Sequence, residues 1–343
     1  VSGTPNLFEQ QARNRRQTTA WVVLFVLFFA WLGFGGDAAL YLGSVDQLGQ
    51  AHYTVPWMGI VITIIACGVA WYSWTNGPKQ VLWSTGAAEL TNPQTFEEKQ
   101  LVNVVEEMAI AAGVPRPRIY VVSDPDPNAF ATGHGPGAAS IAVTSGLLQG
   151  LSREELQGVV GHEMGHIRNY DVRLMTTIAA LVGVVVVLSD GMGRMFRGGG
   201  GRGVGAFLGG RGKKGGFGAI ALLILVLWLI TLLLAPLISR LMAMAITRNR
   251  EYLADATSAE LTRNPGGLAA ALQKIDAADA PTTSIRSGAA HLCIADPLGR
   301  SANLKEGRLA DLFGTHPPMA KRITILKGMA YQQLKAAGQA PID

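Results

Sequence analysis

His162 and His166 stand one helical turn apart in the stretch VVGHEMGHIRNYD, with Glu163 directly after the first. On a helix, both imidazoles leave the same face. Two imidazoles so placed can share one metal ion, and Glu163 then lies beside whatever that ion binds. Two histidines alone make an incomplete zinc site, so the rest of the chain must supply a third ligand. A third histidine shortly after the pair is ruled out, because the positions that would carry Gly and His hold Asn169 and Val172. A carboxylate some twenty residues on is ruled out as well, since the chain there reads LVGVVVVL. The next candidate is TRNREYLADATSAEL, in which Glu251 and Asp255 are four apart and share a helix face. Glu251 can then ligate the metal while Asp255 accepts a hydrogen bond from a ligand imidazole and fixes its tautomer. The competing reading of Glu251 is a solvated carboxylate paired with Arg248 or Arg250.

The elements around the pair suit this chemistry. SREELQGVVGHEMGHIRNYD opens with Ser152 as a helix N-cap and Glu155 three residues on, a capping box. Upstream, NPQTFEEKQLVNVVEEMAIAAGV has helical spacing, with a start at Asn92 and an end at Gly113 and Pro115. PRIYVVSD reads as a strand, and NAFATGHGPGAASIAVTSGLL as a hairpin. Its strands are placed at Asn128 to Thr132 and Ser140 to Thr144, around a glycine-rich turn.

Composition sets the compartment. Of the 343 residues, 49% are hydrophobic and 15% charged, where a soluble domain carries about 25% charged residues. Four apolar stretches are candidate membrane spans, at about 18–36, 55–74, 173–189 and 217–238. The second has Trp57, Trp71 and Trp74 at its ends, as an interfacial aromatic belt requires. Cys67 and Cys293 are too few for a disulfide scaffold and have no CxxC spacing for a metal. The net charge of +5 is read as basic loops and tails facing anionic lipid, with no nucleic-acid partner, since no recognition module accompanies it.

Chain order gives the expected domains: a basic tail at 1–17, a transmembrane hairpin at 18–76 and a first catalytic part at 77–172. A second hairpin at 173–240, with a glycine-rich loop at 191–216, precedes a second catalytic part at 241–343. One ion cannot bridge a bilayer, so His162 and Glu251 must share a compartment and spans three and four must form a hairpin. The loop between the first two spans carries Asp37 and Asp46 but no Lys or Arg, while the tail before them is basic, which puts the tail and the metal site in the cytoplasm. Six basic residues in the glycine-rich loop (Arg194, Arg197, Arg202, Arg211, Lys213 and Lys214) run against that bias, and the metal constraint is given precedence.

The motifs NAFATG, HEMGH, REYLADA and THPPMAKR occur in this order. In this the chain resembles the HtpX-type membrane zinc metallopeptidases, relatives of the CAAX prenyl proteases. The resemblance covers nearly everything beyond the second span. It implies a fold of four transmembrane helices with a mostly α, α+β gluzincin-like peptidase domain built from two sequence segments. It also implies one zinc ion held by His162, His166 and Glu251, with Glu163 as general base. The implied location is the bacterial inner membrane, multi-pass, with the active site facing the cytoplasm. The implied task is endopeptidase cleavage of misfolded or damaged membrane proteins in quality control. Expected partners are unfolded or membrane-protein polypeptides and the lipid bilayer.

Further expectations attach to single residues. The strand through Asn128, Ala129, Phe130 and Ala131 is a candidate edge for pairing with an extended substrate, against the alternative of an ordinary sheet strand. Asn128 is a candidate contact for the substrate carbonyl. His316, just before Pro317 and Pro318, is either a donor to the tetrahedral oxyanion or part of a helix cap. Arg322 either pairs with a site carboxylate such as Asp255 or faces solvent. The rival from another class is a non-catalytic membrane scaffold or transporter with a vestigial zinc site. The presence of Glu163 and the lack of buried ionisable residues in the spans both speak against it.

Overall fold

The computed structural model describes residues 7–43, 50, 52–181, 248–278 and 317–338, with 282, 284, 285, 289 and 292–295 between the last two stretches. The third span is helical as far as residue 181. Its remainder, the glycine-rich loop, the fourth span and His316 lie outside the described residues. Contacts divide the chain into two units. One comprises Thr19–Thr75 and Leu181–Met242; the other takes in residues up to Thr18, Asn76–Ala180 and Ala243–Asp343. The segment before the first span, set apart as a tail on sequence grounds, therefore counts with the metal-site unit.

Among the described residues, two helices are long and apolar enough to cross a membrane, within α1 (Leu7–Gly43) at Arg16–Ala38 and in α2 (Trp57–Ser84). α2 continues ten residues past the expected end of the second span and contains Pro78. Leu27, Ile64, Ile65 and Trp71 are all more than half exposed, as lipid-facing side chains are. The helices approach closely at Gly33, where a Cβ would stand 2.8 Å from the Gly59 Cα. Asp37 was expected in the connecting loop but belongs to α1. Its carboxylate accepts hydrogen bonds from the Met58 and Gly59 N–H groups and so caps the start of α2.

The metal-site unit is built on a four-stranded sheet. Its strands are β1 (Ala88–Glu89), β2 (Arg118–Val122), β3 (Ala129–Gly133) and β4 (Ala139–Thr144), in the order β1-β2-β4-β3. β2 and β4 run parallel with Ile119 opposite Ile141, whereas β3 pairs antiparallel with β4 and forms an edge. The helices are α3 (Phe96–Ala112), α4 (Ser145–Gly150), α5 (Arg153–Arg168), α6 (Arg248–Thr262), α7 (Pro265–Asp276) and α8 (Met319–Ala336). Leu101 and Val105 of α3, Ile141 and Val143 of β4, Val159 and Met164 of α5, and Leu268 and Leu272 of α7 share one core. α3 starts three residues later than expected. Thr95, and not Asn92, is its N-cap, because Thr95 and Glu98 complete a capping box that Asn92 cannot make.

α5 carries glycines at positions 158, 161 and 165, and they decide how near its neighbours come. A Cβ on Gly165 would lie 3.2 Å from the Ala254 Cα, and one on Gly161 3.1 Å from the Ser258 Oγ, both on α6. A Cβ on Gly158 would lie 2.7 Å from the Leu268 backbone nitrogen on α7. The Ser258 hydroxyl also donates to the Gly158 carbonyl at 2.7 Å. These contacts seat α6 directly on the histidine helix, with Glu251, Ala254, Asp255 and Ser258 along its facing side. Gly158→Ala is expected to destabilise the protein by about 1–3 kcal/mol through overpacking. Thermal unfolding in detergent checks this, and an unchanged midpoint would contradict the packing described.

Candidate metal centre

The capping box at Ser152 starts α5, with the Ser152 N–H donating to the Glu155 carboxylate at 2.7 Å. Nearly three turns later the helix presents His162, and one turn further His166, into the interior, where both are buried. Their Nε2 atoms face each other at 3.2 Å. Glu251 of α6 joins them, one carboxylate oxygen 3.6 Å from the His162 Nε2 and the other 3.5 Å from the His166 Nε2. Four ligands about 2.0–2.1 Å from a tetrahedral zinc ion stand about 3.3 Å from one another. The two nitrogens and the carboxylate are thus spaced as three corners of such a tetrahedron, and the donor set of two imidazoles and a carboxylate suits zinc. Arg250, one of the alternative partners for Glu251, is engaged by Asn14 and Asp171, and the side chain of Arg248 lies outside the described residues.

Each imidazole turns its other nitrogen to a second carboxylate. The His162 Nδ1 is 2.9 Å from Asp255, and the His166 Nδ1 is 3.5 Å from Asp171. With its Nδ1 on Asp255, the His162 Nε2 is left to accept an ion. Arg322 is fully buried and grips both oxygens of Asp255, its Nε and Nη2 donating at 2.9 and 2.7 Å, the latter to the oxygen that faces His162. Its Nη1 donates to the Ile294 carbonyl at 2.8 Å. Burial opposes ionisation of Asp255, yet Arg322 and His162 outweigh it and hold the carboxyl down at about 2. Burial likewise opposes a charge on His162, but Asp255 and Glu251 prevail and by themselves push the imidazole up to about 9. The two carboxylates around His162 therefore favour positive charge at this imidazole, which a metal ion supplies in place of a proton.

Glu163 lies beside this cluster, 1% exposed, and neither of its carboxylate oxygens has a hydrogen-bond partner. Burial pushes its carboxyl above the ordinary range, with the two histidines pulling the other way. A buried carboxylate without a partner is costly, and a structural role offers no reason to keep one here.

Residues 95–330 match peptidase family M48. The chain belongs to peptidase family M48. A protease HtpX homolog of Streptococcus gordonii is 41% identical over 323 residues, covering 94% of this M48 chain and 100% of the relative. One from Caldanaerobacter subterraneus is 39% identical over 324 residues, covering 94% and 98%. Among solved structures, that of S. mikatae Ste24p aligns with a TM-score of 0.45 at 18% identity, covering 90% of this chain and 66% of that one. A peptidase family and relatives named as proteases over their full length support a metalloprotease, and the two apolar helices support a membrane setting.

The structure brings His162, Glu163, His166, Glu251, Asp255 and Arg322 of this M48 chain together, and it alters the reading of the strand residues. Asn128 uses its side chain inside the fold: Nδ2 donates to the Ala295 carbonyl at 3.0 Å, and Oδ1 accepts from the Ala129 N–H at 3.1 Å. That engagement, and not a substrate carbonyl, accounts for the amide in this conformation. The β3 edge is also partly covered. The Ala129 carbonyl accepts from the Ile294 N–H at 2.9 Å, Phe130 bridges to Cys293, and the Gly133 N–H donates to the Thr176 hydroxyl at 3.1 Å. By the two-residue period of a strand, Ala131 lies on this same edge, where it is buried and the antiparallel Phe130–Cys293 bridge turns its N–H towards Leu292. Asp171 and Asn14 join the site without having been expected there. A signal for Asp171 was present, as a carboxylate five residues after His166; none marked Asn14.

Proposed function

We propose that the chain is a membrane-embedded zinc endopeptidase, with His162, His166 and Glu251 as ligands and Glu163 as general base. The observation that carries this is the buried, unpartnered Glu163 carboxylate beside three donors at tetrahedral spacing. A zinc ion there supplies Lewis acidity, polarising a scissile carbonyl and lowering the pKa of water towards about 7. Glu163, raised by burial, takes a proton from the attacking water and returns it to the leaving amine. Asp255, kept ionised by Arg322, holds the His162 ring in place through Nδ1. The strand through Asn128, Ala129, Phe130 and Ala131 is the place where an extended substrate chain pairs, giving sequence-tolerant recognition. Substrates are unfolded or damaged membrane proteins, cut on the cytoplasmic side of a bacterial inner membrane as part of quality control. The two apolar helices and the peptidase family support that setting. A scaffold or transporter with a vestigial site would have no use for Glu163.

The full chain purified in detergent is expected to carry one zinc per molecule and to cleave unfolded casein. A strong chelator is expected to abolish cleavage, and added zinc to restore it. A chain that takes up no zinc, or that cleaves undiminished once stripped of it, would overturn the proposal.

A further inference from the structure

Each ligand imidazole faces a further carboxylate, His162 at 2.9 Å and His166 at 3.5 Å, and the group behind the second lies far along the sequence. His162 leans on Asp255, which Arg322 holds. The His166 Nδ1 faces Asp171 Oδ2 at 3.5 Å, both atoms buried and without a hydrogen-bond partner in this conformation, and the group that holds Asp171 is Asn14, 157 residues earlier. α5 ends at Arg168 with Asn169 as its C-cap, and Tyr170 takes a left-handed conformation with φ 61°. That break returns Asp171 to the side of His166. Asn14 is buried at the junction. Its Nδ2 donates to Asp171 Oδ1 at 2.7 Å and to the Asn169 carbonyl at 2.9 Å. Its Oδ1 accepts from the Arg250 Nη2 at 2.9 Å, and the same nitrogen donates to the Gln17 side chain. The Arg250 Nε lies 3.5 Å from Asp171 Oδ1.

We propose that Asn14 is a positioning residue of the metal centre, fixing Asp171 so that its free oxygen orients His166, and bracing Arg250 beside Glu251. This rests on His166 and Glu251 being metal ligands. The division of labour within Asp171 carries the argument. Asn14 and Arg250 engage Oδ1, while Oδ2 is the atom 3.5 Å from the His166 Nδ1. An amide suits this place because one side chain must donate to a carboxylate and accept from a guanidinium. Aspartate would keep the Arg250 contact but set a second carboxylate against Asp171. Leucine would lose both contacts. The segment before the first span therefore completes the centre from outside the two sequence stretches that carry its ligands.

The test uses the full chain in detergent, comparing wild type with Asn14→Asp, Asn14→Leu, Asp171→Ala and Arg16→Ala, the last an exposed neighbour. Zinc affinity is read by competition with a chromogenic chelator, coordination by the visible spectrum of the cobalt-substituted protein, and folding by thermal unfolding. Asp171→Ala and both Asn14 variants are expected to bind zinc about 10–100-fold more weakly, with altered cobalt bands, while Arg16→Ala matches wild type. The near-isosteric Asn14→Asp supplies the comparison if the leucine variant does not fold. Variants that melt earlier yet keep wild-type zinc affinity and cobalt bands would show a structural role only and overturn the inference. Wild-type protein that takes up no zinc would instead bring down the metal reading on which it stands.

Discussion

Glu163→Gln is expected to lower kcat by about 10²–10⁴-fold, the range lost when a general base is removed, while zinc content stays at the wild-type level. The amide has nearly the shape of the carboxylate, so it fills the same buried space among the same neighbours. It cannot take a proton from water at neutral pH. Zinc is retained because the ion's donors are His162, His166 and Glu251, whose spacing does not depend on Glu163. Stability carries a second, opposite signature. The wild-type carboxylate is buried with both oxygens unpartnered, and burial pushes its pKa up. Neutralising it removes that cost, so the variant is expected to melt at or above the wild-type temperature, a trade of stability against function. The measurement is single-turnover cleavage of an unfolded protein, beside elemental analysis and thermal unfolding of the same preparation. A variant that cleaves at the wild-type rate would end the assignment of Glu163 as base.

The parts of the centre legible in the sequence are those governed by local rules. A helix imposes its own period, so HEMGH already places two imidazoles on one face, and Ser152 with Glu155 already marks where that helix begins. Glu251 and Asp255 were accessible by the same rule, as a pair four apart. What the local rules do not convey is the contact between segments. The glycines at 158, 161 and 165 let α6 and α7 approach α5, yet in sequence they read as weak helix formers. Arg322 had equal claims to solvent and to Asp255 until packing buried it. Asn14 lies among basic residues before an apolar run, where nothing distinguishes it from a tail. The covering of the β3 edge is hidden for a related reason: alternation identifies a strand, but only the path of residues 292–295 reveals which edge positions are already occupied.

Arg322→Met is expected to cost about 3–5 kcal/mol of stability, because it breaks a buried ion pair and leaves one charge behind. Arg322 is 0% exposed and Asp255 2%, so water cannot take over for the lost partner. The guanidinium binds Asp255 through two nitrogens and the Ile294 carbonyl through the third, a fork that lysine cannot reproduce. Arg322→Lys is therefore expected to recover only part of the loss, although it restores the charge. The effect reaches the metal centre through Asp255. Its carboxyl is depressed to about 2 in the folded protein, so its contribution is present above the ordinary carboxylate range and lost as pH falls through about 2. Without Arg322 the carboxyl rises, and the acid limb of unfolding moves to higher pH. A protonated Asp255 is also a poorer acceptor for the His162 Nδ1–H, so zinc affinity falls along with stability. Unfolding in detergent as a function of pH, with zinc content at each point, separates these effects. A methionine variant within about 1 kcal/mol of wild type, with an unmoved acid limb, would show that this buried pair contributes little to fold or site.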